Sequence, residues 1–262
     1  MSHFSRFFPS VFVATLLLGA MPLLHAQYRS IAPPLPPDVL NPTPKYWYIG
    51  PQLGVSQNTH AGDFLPECDK CLFADGSGIG IIAGIQIEHL PTPDWGIALK
   101  LLYDDKRAEY STAFSGMRQV VDGSVVDVPV ERVMDARIAY FVINPMLELF
   151  PIKNLYLLAG PAIGLPMTSQ YSVKERMLDP NFVFWATGTD EAFLQPQEWT
   201  DIPDLTAPRI DVRVGIGYNL KLSRSVIFAP EVTYEYPLTN ISSDDNWKAS
   251  AIHGVAVLKF AL

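Results

Sequence analysis

Strict alternation of side-chain character limits this chain more than any other feature, and residues 209–222, RIDVRVGIGYNLKL, alternate without a slip. Ile210, Val212, Val214, Ile216, Tyr218, Leu220 and Leu222 fall on one face. Arg209, Asp211, Arg213, Gly215, Gly217, Asn219 and Lys221 fall on the other. Successive side chains of a strand point to opposite faces, so this is a strand with one apolar side and one charged or glycine side. Its length suits a tilted strand in a bilayer, which needs roughly 9–11 residues in the hydrocarbon.

Seven other segments carry the same signature: residues 45–58, 78–89, 95–104, 133–150, 155–167, 226–236 and 247–262. Within 133–150, Ile138, Tyr140 and Val142 fall out of step with Pro145, Leu147 and Leu149, which predicts a bulge near Asn144-Pro145. The connections sort into two kinds. LPTPD at 90–94, PIKN at 151–154 and SRS at 223–225 are short, whereas 59–77, 105–132, 168–207 and 237–246 are long or polar. Short and long alternate strictly, as periplasmic turns and outward loops do in membrane barrels. The expected fold is all-β: an eight-stranded antiparallel up-and-down transmembrane β-barrel over residues 45–262, with both termini on the periplasmic side.

The preceding residues support this reading. Arg6, the apolar run 11–24 and Leu24-His25-Ala26 predict a secretory signal peptide over residues 1–26. An N-terminal membrane anchor is the competing reading, but the run is shorter than the roughly 20 residues of a membrane helix. No Cys follows the expected cut, which argues against a lipoprotein anchor. Residues 27–44, with six Pro, cannot pair in a sheet and are expected to form a periplasmic linker. Later segments lack any long apolar run, so a membrane-spanning chain must close a barrel. The net charge of −8 argues against a nucleic-acid partner.

Alternation does not say which face meets lipid, because a soluble ligand-binding barrel keeps its apolar face inward. Glycine does. Gly50, Gly54, Gly80, Gly84, Gly96, Gly160, Gly164, Gly215 and Gly217 all lie on the polar face, and Gly254 is the exception. Small residues suit the narrow interior of about eight strands. Trp47, Trp95, Tyr103, Tyr218, Phe228, Tyr234, Tyr236 and Phe260 lie on the apolar face, several near strand ends, where membrane boundaries favour them.

Three stretches carry a family resemblance: CDKCLFADGSGIGIIAG (68–84), APEVTYEY (229–236) and WKASAIHGVAVLKF (247–260). With them, residues 45–262 resemble the OmpA-like, eight-stranded outer-membrane β-barrel proteins. The resemblance implies a bacterial outer-membrane location, contact with outer-membrane lipids and lipopolysaccharide, and insertion by the barrel assembly machinery. It implies no catalytic motif. Many relatives end in an aromatic residue, whereas Phe260 here precedes Ala261-Leu262. Some carry a peptidoglycan-binding domain after the barrel, a role not expected of this chain.

The polar face gathers Lys100, Arg209, Asp211, Arg213, Lys221, Glu231, Glu235, His253 and Lys259, with Gln52, Gln86 and Glu88. Charges in a narrow interior must be paired or hydrated. A salt-bridged plug is expected, and a narrow porin-like channel is the alternative. Cys68 and Cys71 are expected to form a local disulfide, because a four-Cys metal site would need a second pair. No cofactor is expected. A lipid-modifying enzyme would need Ser and His within hydrogen-bond reach. Ser250 and His253 have opposite parity, His60 lies in a loop and His89 near a turn, so no enzymatic activity is expected. His253 should bond Glu231 or Glu235. Loop 168–207, with Phe182, Phe184, Trp185, Phe193 and Trp199, is too apolar for a plain tether and should form a lid, an extended hairpin or a contact for an external partner. Asp63, Glu67, Asp69 and Asp75 form an acidic first loop that could bridge divalent cations, though a solvated loop is the simpler reading. The function so expected is structural or surface-interactive.

Overall fold

Alternating segments become strands because their two faces have different solvents to meet. The computed structural model describes residues 47–64, 73–121, 124–179, 181–184, 188–193, 199–243 and 246–262. They contain β1 (Trp47–Phe64), β2 (Phe73–His89), β3 (Trp95–Asp105), β4 (Ala108–Val121), β5 (Ser124–Ile152), β6 (Leu155–Met177), β7 (Glu191–Phe193), β8 (Thr200–Asp201), β9 (Arg209–Tyr218), β10 (Leu220–Lys221), β11 (Val226–Pro237) and β12 (Trp247–Ala261).

Eight of these strands close a ring. β1 pairs with β2, β2 with β3, β3 with β5 and β5 with β6. β6 pairs with β9, β9 with β11, β11 with β12, and β12 returns to β1. Every pairing is antiparallel, so the ring has no open edge within it. β10 continues β9 beyond Asn219 and pairs with β11. At the seam, Leu262 N–H donates to Trp47 O at 3.0 Å.

One end of the barrel carries short turns and the other carries long extensions. β4 and β5 form a hairpin that prolongs the wall well past the ring, and β7 and β8 add to the far part of β6. Two expected loops are therefore largely sheet. Residues 105–132 are mostly this hairpin, and the first part of 168–207 is the extended end of β6. Phe182 and Phe184 pack with Val128, Val130, Met177 and Ala192 in a small separate cluster. Ile202 and Leu205 turn back over the barrel mouth and join the main core. Trp185 and the side chain of Phe193 lie outside the described residues, as do the expected signal peptide, the linker and the Cys68–Cys71 pair.

The bulge expected near Asn144-Pro145 is absent. β5 holds unbroken register with β3 from Trp95↔Leu149 to Asp105↔Ala139. Ile138, Tyr140, Val142, Asn144, Met146 and Glu148 all point inward in one phase. What switches is chemistry: the upper part of this inward row is apolar and packs against the interior core. In the β5–β6 pairing the register shifts at two other places: at Ala139/Tyr140, where β6 holds an extra residue between Pro166 and Thr168, and at Leu149/Ile152, next to the short turn.

The exterior is apolar around the whole ring. Leu53, Ile81, Leu99, Leu147, Leu157, Val214, Val232 and Ile252 are each 40% exposed or more, one from every ring strand. A continuous belt of this kind far exceeds the apolar patches of soluble monomers. Trp47, Trp95 and Tyr218 edge the belt at the turn end, and Tyr103, Phe141 and Tyr236 edge it at the loop end. From Trp95 to Tyr103 is about 26 Å along the strand, or about 20 Å after a 35–45° tilt, close to the height of a membrane barrel's apolar band. The protein is an eight-stranded transmembrane β-barrel.

Candidate functional site

Three storeys of side chains fill the barrel interior. The inward phase of each strand supplies them, and glycines set the clearances. Tyr156 lies beside Gly217 and Tyr110 beside Gly76, so that a Cβ at either glycine would stand 2.3 Å or 2.5 Å from the ring.

The storey nearest the turns holds three carboxylates and two ammonium groups. Lys100 ion-pairs with Glu231, whose other oxygen accepts from the Tyr156 hydroxyl at 2.8 Å. Lys259 pairs with Glu88 and lies 4.5 Å from the Tyr156 ring centroid. Gln86 donates to Glu88 at 3.0 Å. Glu148 is fully buried, with the Lys259 Nζ 3.9 Å away and no hydrogen-bond donor among the described residues.

The middle storey spans the bore. Lys106 lies just past β3 and places its Nζ 3.1 Å from Asp104, 2.9 Å from Glu235 and 3.1 Å from His253 Nε2. Arg213 pairs with both Asp104 and Glu235. Arg209 donates to Asp211 at 2.9 Å and to Glu235 at 3.1 Å, with its guanidinium 5.2 Å from the Tyr140 ring centroid. Three acids thus meet three bases. His253 Nδ1 lies 3.2 Å from Thr233 Oγ1. Because Nε2 accepts from an ammonium, the ring is neutral and its hydrogen sits on Nδ1, donated to Thr233.

The third storey lies beyond the apolar belt, where the outward residues are Thr59, Ser77, Ser250 and Lys248. It is aromatic. Trp247 Nε1–H donates to the Tyr110 hydroxyl at 2.6 Å, and that hydroxyl lies 2.6 Å from His60 Nδ1. Phe64 packs on Trp247 with ring centroids 4.4 Å apart and meets Tyr171 edge-on at 5.4 Å. Burial, helped by the positive charges of Arg209 and Lys106, pushes the His60 imidazole down to about 3. Burial pushes the Tyr110 phenol well up.

Of the interior residues expected from sequence, the structure places Lys100, Arg209, Asp211, Arg213, Glu231, Glu235, His253 and Lys259 in the bore, all buried. Lys221 is not among them. It sits on β10 at the turn end, past the lower rim, and is exposed to solvent. His253 bonds Lys106 and Thr233, not a glutamate; Glu235 is 3.9 Å away. Ser250 bonds the Thr59 carbonyl on the outer wall, away from His253. Sequence reasoning missed Asp104, Lys106 and Glu148. The signal was present: Lys100, Leu102, Asp104 and Lys106 keep one parity, and Glu148 follows Asn144 and Met146.

Asp104, Glu235 and His253 bring potential metal-ligand atoms within 4.8 Å of one another. The Lys106 ammonium contacts all three residues and supplies the positive charge itself. Among the described residues this cluster is charge-balanced without a metal.

No family model and no curated relative matches the sequence. Solved structures do. The attachment invasion locus protein Ail of Yersinia pestis is 12% identical, with a TM-score of 0.36, over 82% of this chain and 99% of that one. Neisserial surface protein A is 10% identical, with a TM-score of 0.31, over 82% of this chain and 97% of that one. CarO2 of Acinetobacter baumannii is 14% identical, with a TM-score of 0.31, over 80% of this chain and 99% of that one. This chain is similar to these small barrels; its own closed ring of pairings carries the fold.

Proposed function

We propose that this protein is a non-conducting β-barrel of the bacterial outer membrane with a structural or surface-interaction role. The lipid-facing belt and the alternation of short turns with long extensions support that location. The turn end then faces the periplasm, and the β4–β5 hairpin, the far part of β6 and the strands added to it project from the cell as a surface for an external partner. No catalytic step belongs to this reading.

The middle storey carries the non-conducting part. Asp104, Lys106, Arg213, Glu235 and His253 come from separate stretches of the barrel wall and meet across the bore with matched charge. An eight-stranded barrel leaves little lumen beyond its own side chains. The aromatic storey covers the same bore on the loop side. Purified protein in a planar bilayer is expected to give no stable unitary currents. Reproducible channels of one conductance would overturn the plug and favour a narrow pore.

A further inference from the structure

His60 on β1, Tyr110 on β4 and Trp247 on β12 form a hydrogen-bonded triad in the aromatic storey, each at most 1% exposed. An indole can only donate, so Trp247 Nε1–H gives its hydrogen to the Tyr110 oxygen at 2.6 Å. The Tyr110 hydroxyl gives its own to His60 Nδ1, also 2.6 Å away. The reverse direction would leave the phenol hydrogen without an acceptor among the described residues. Tyr110 is thus held between one fixed donor and one neutral base.

The surrounding rings run on towards the surface. Phe64 bridges Trp247 and Tyr171, with centroids 4.4 Å and 5.4 Å away. Thr200 pairs with Tyr171. Trp199, beside Thr200, is partly exposed and stacks with Arg137, whose guanidinium carbon lies 3.6 Å from the ring centroid. Phe73 closes another side of Tyr110, at 6.2 Å. Tyr156 also donates to a base, Glu231, but its ring neighbour is Phe150, which does not take up an electron hole. Indole and phenol lose one electron more readily than the other aromatic side chains. Phenol does so at mild potential only if its proton leaves too.

We propose that Tyr110 is a one-electron redox site through which the outer end of the barrel quenches small oxidising radicals such as the carbonate radical. The radical takes an electron from Trp199 or Tyr171 and becomes carbonate, and the hole passes to Trp247. Tyr110 then gives an electron to Trp247 while its hydroxyl proton crosses to His60 Nδ1. The indole is restored, a neutral tyrosyl radical remains and the imidazole carries the proton. A small reductant such as ascorbate returns the electron, and His60 returns the proton. The radical cation of a phenol is a far stronger acid than imidazolium, so even an imidazole pushed down to about 3 accepts the proton. The charges of Arg209 and Lys106 that help depress it favour the proton's return once Tyr110 is reduced. In the oxidised state two N–H donors face the radical oxygen, and burial keeps it from coupling with a second phenol.

Pulse radiolysis of the detergent-solubilised protein with the azide radical, an oxidant selective for indole, tests the assignment. Tryptophanyl absorption should decay into tyrosyl absorption in a first-order step that is independent of protein concentration and slower in heavy water. Tyr110→Phe should abolish the long-lived tyrosyl signal, and Tyr234→Phe, on the outward belt, should leave it unchanged. His60→Gln keeps an acceptor but no base, and should slow the step about a hundredfold, the usual weight of a positioned base. Electron–nuclear double resonance of the freeze-trapped wild-type radical should show two exchangeable hydrogens bonded to its oxygen. Heat-modifiable gel migration identifies folded variants, and the double-resonance spectrum decides if Tyr110→Phe does not fold. A signal that persists in folded Tyr110→Phe, an equal rate in folded His60→Gln, or a radical without exchangeable hydrogen bonds overturns the proposal.

Discussion

Lys106 stands where a metal ion would be held by Asp104, Glu235 and His253. Removing one partner of a buried ionic cluster costs about 3–5 kcal/mol, because the remaining charges lose compensation. Lys106→Ala should therefore unfold at markedly lower temperature than wild type, and added Zn²⁺ should restore part of that loss. The wild type should not respond to Zn²⁺; an equal rise in both proteins would show that the ammonium does not occupy the position. His60 makes a second residue-scale prediction. Its pKa is about 3 in the folded chain and about 6.5 when unfolded. Between these values the unfolded state binds more protons, so stability is full above pH 6.5 and declines as pH falls, by about 1.4 kcal/mol per unit. The stability difference between wild type and His60→Gln, from urea midpoints at pH 7, 5.5 and 4.5, should shrink by that slope; parallel curves would refute it. Neither role was legible in sequence. His60 reads as a loop histidine because the signal of β1 fades at Asn58, while the strand itself is held to Phe64 by its pairings with β2 and β12.

Single strands announced themselves more clearly than their ends. The eight ring segments follow from period-two patterning, since each must satisfy lipid on one side and a charged interior on the other. The β4–β5 hairpin and the far part of β6 stand beyond the membrane, where the outer face need not be apolar, so the contrast that marks a strand is lost. Between neighbouring strands, glycine and tyrosine fit one another. Gly217→Ala places a methyl 2.3 Å from Tyr156 and should cost about 1–3 kcal/mol. Tyr156→Val should reduce that penalty in the double variant, measured as a thermodynamic cycle on folding into lipid vesicles. Additive effects would show that the contact is not shared.

For the whole molecule the decisive property is the direction of the apolar face. Val214 lies midway along β9 and points outward. Val214→Arg should cost about 2–4 kcal/mol of folding free energy in a bilayer, the depth-dependent penalty of a cation at the midplane. Unchanged folding into vesicles would contradict the lipid-facing assignment. The sequence by itself determined the eight ring strands, their order and the chemistry of the two faces, because the repeat of a strand is local and each face answers to one solvent. Tertiary structure alone decided which charges meet. Arg213 and Asp104 are far apart in the chain and come together only when the ring closes. Lys106 enters the bore because the wall continues past the end of β3, and Lys221 leaves it because β10 runs beyond the rim. Pairing across a lumen depends on height and strand tilt, quantities that no local pattern encodes.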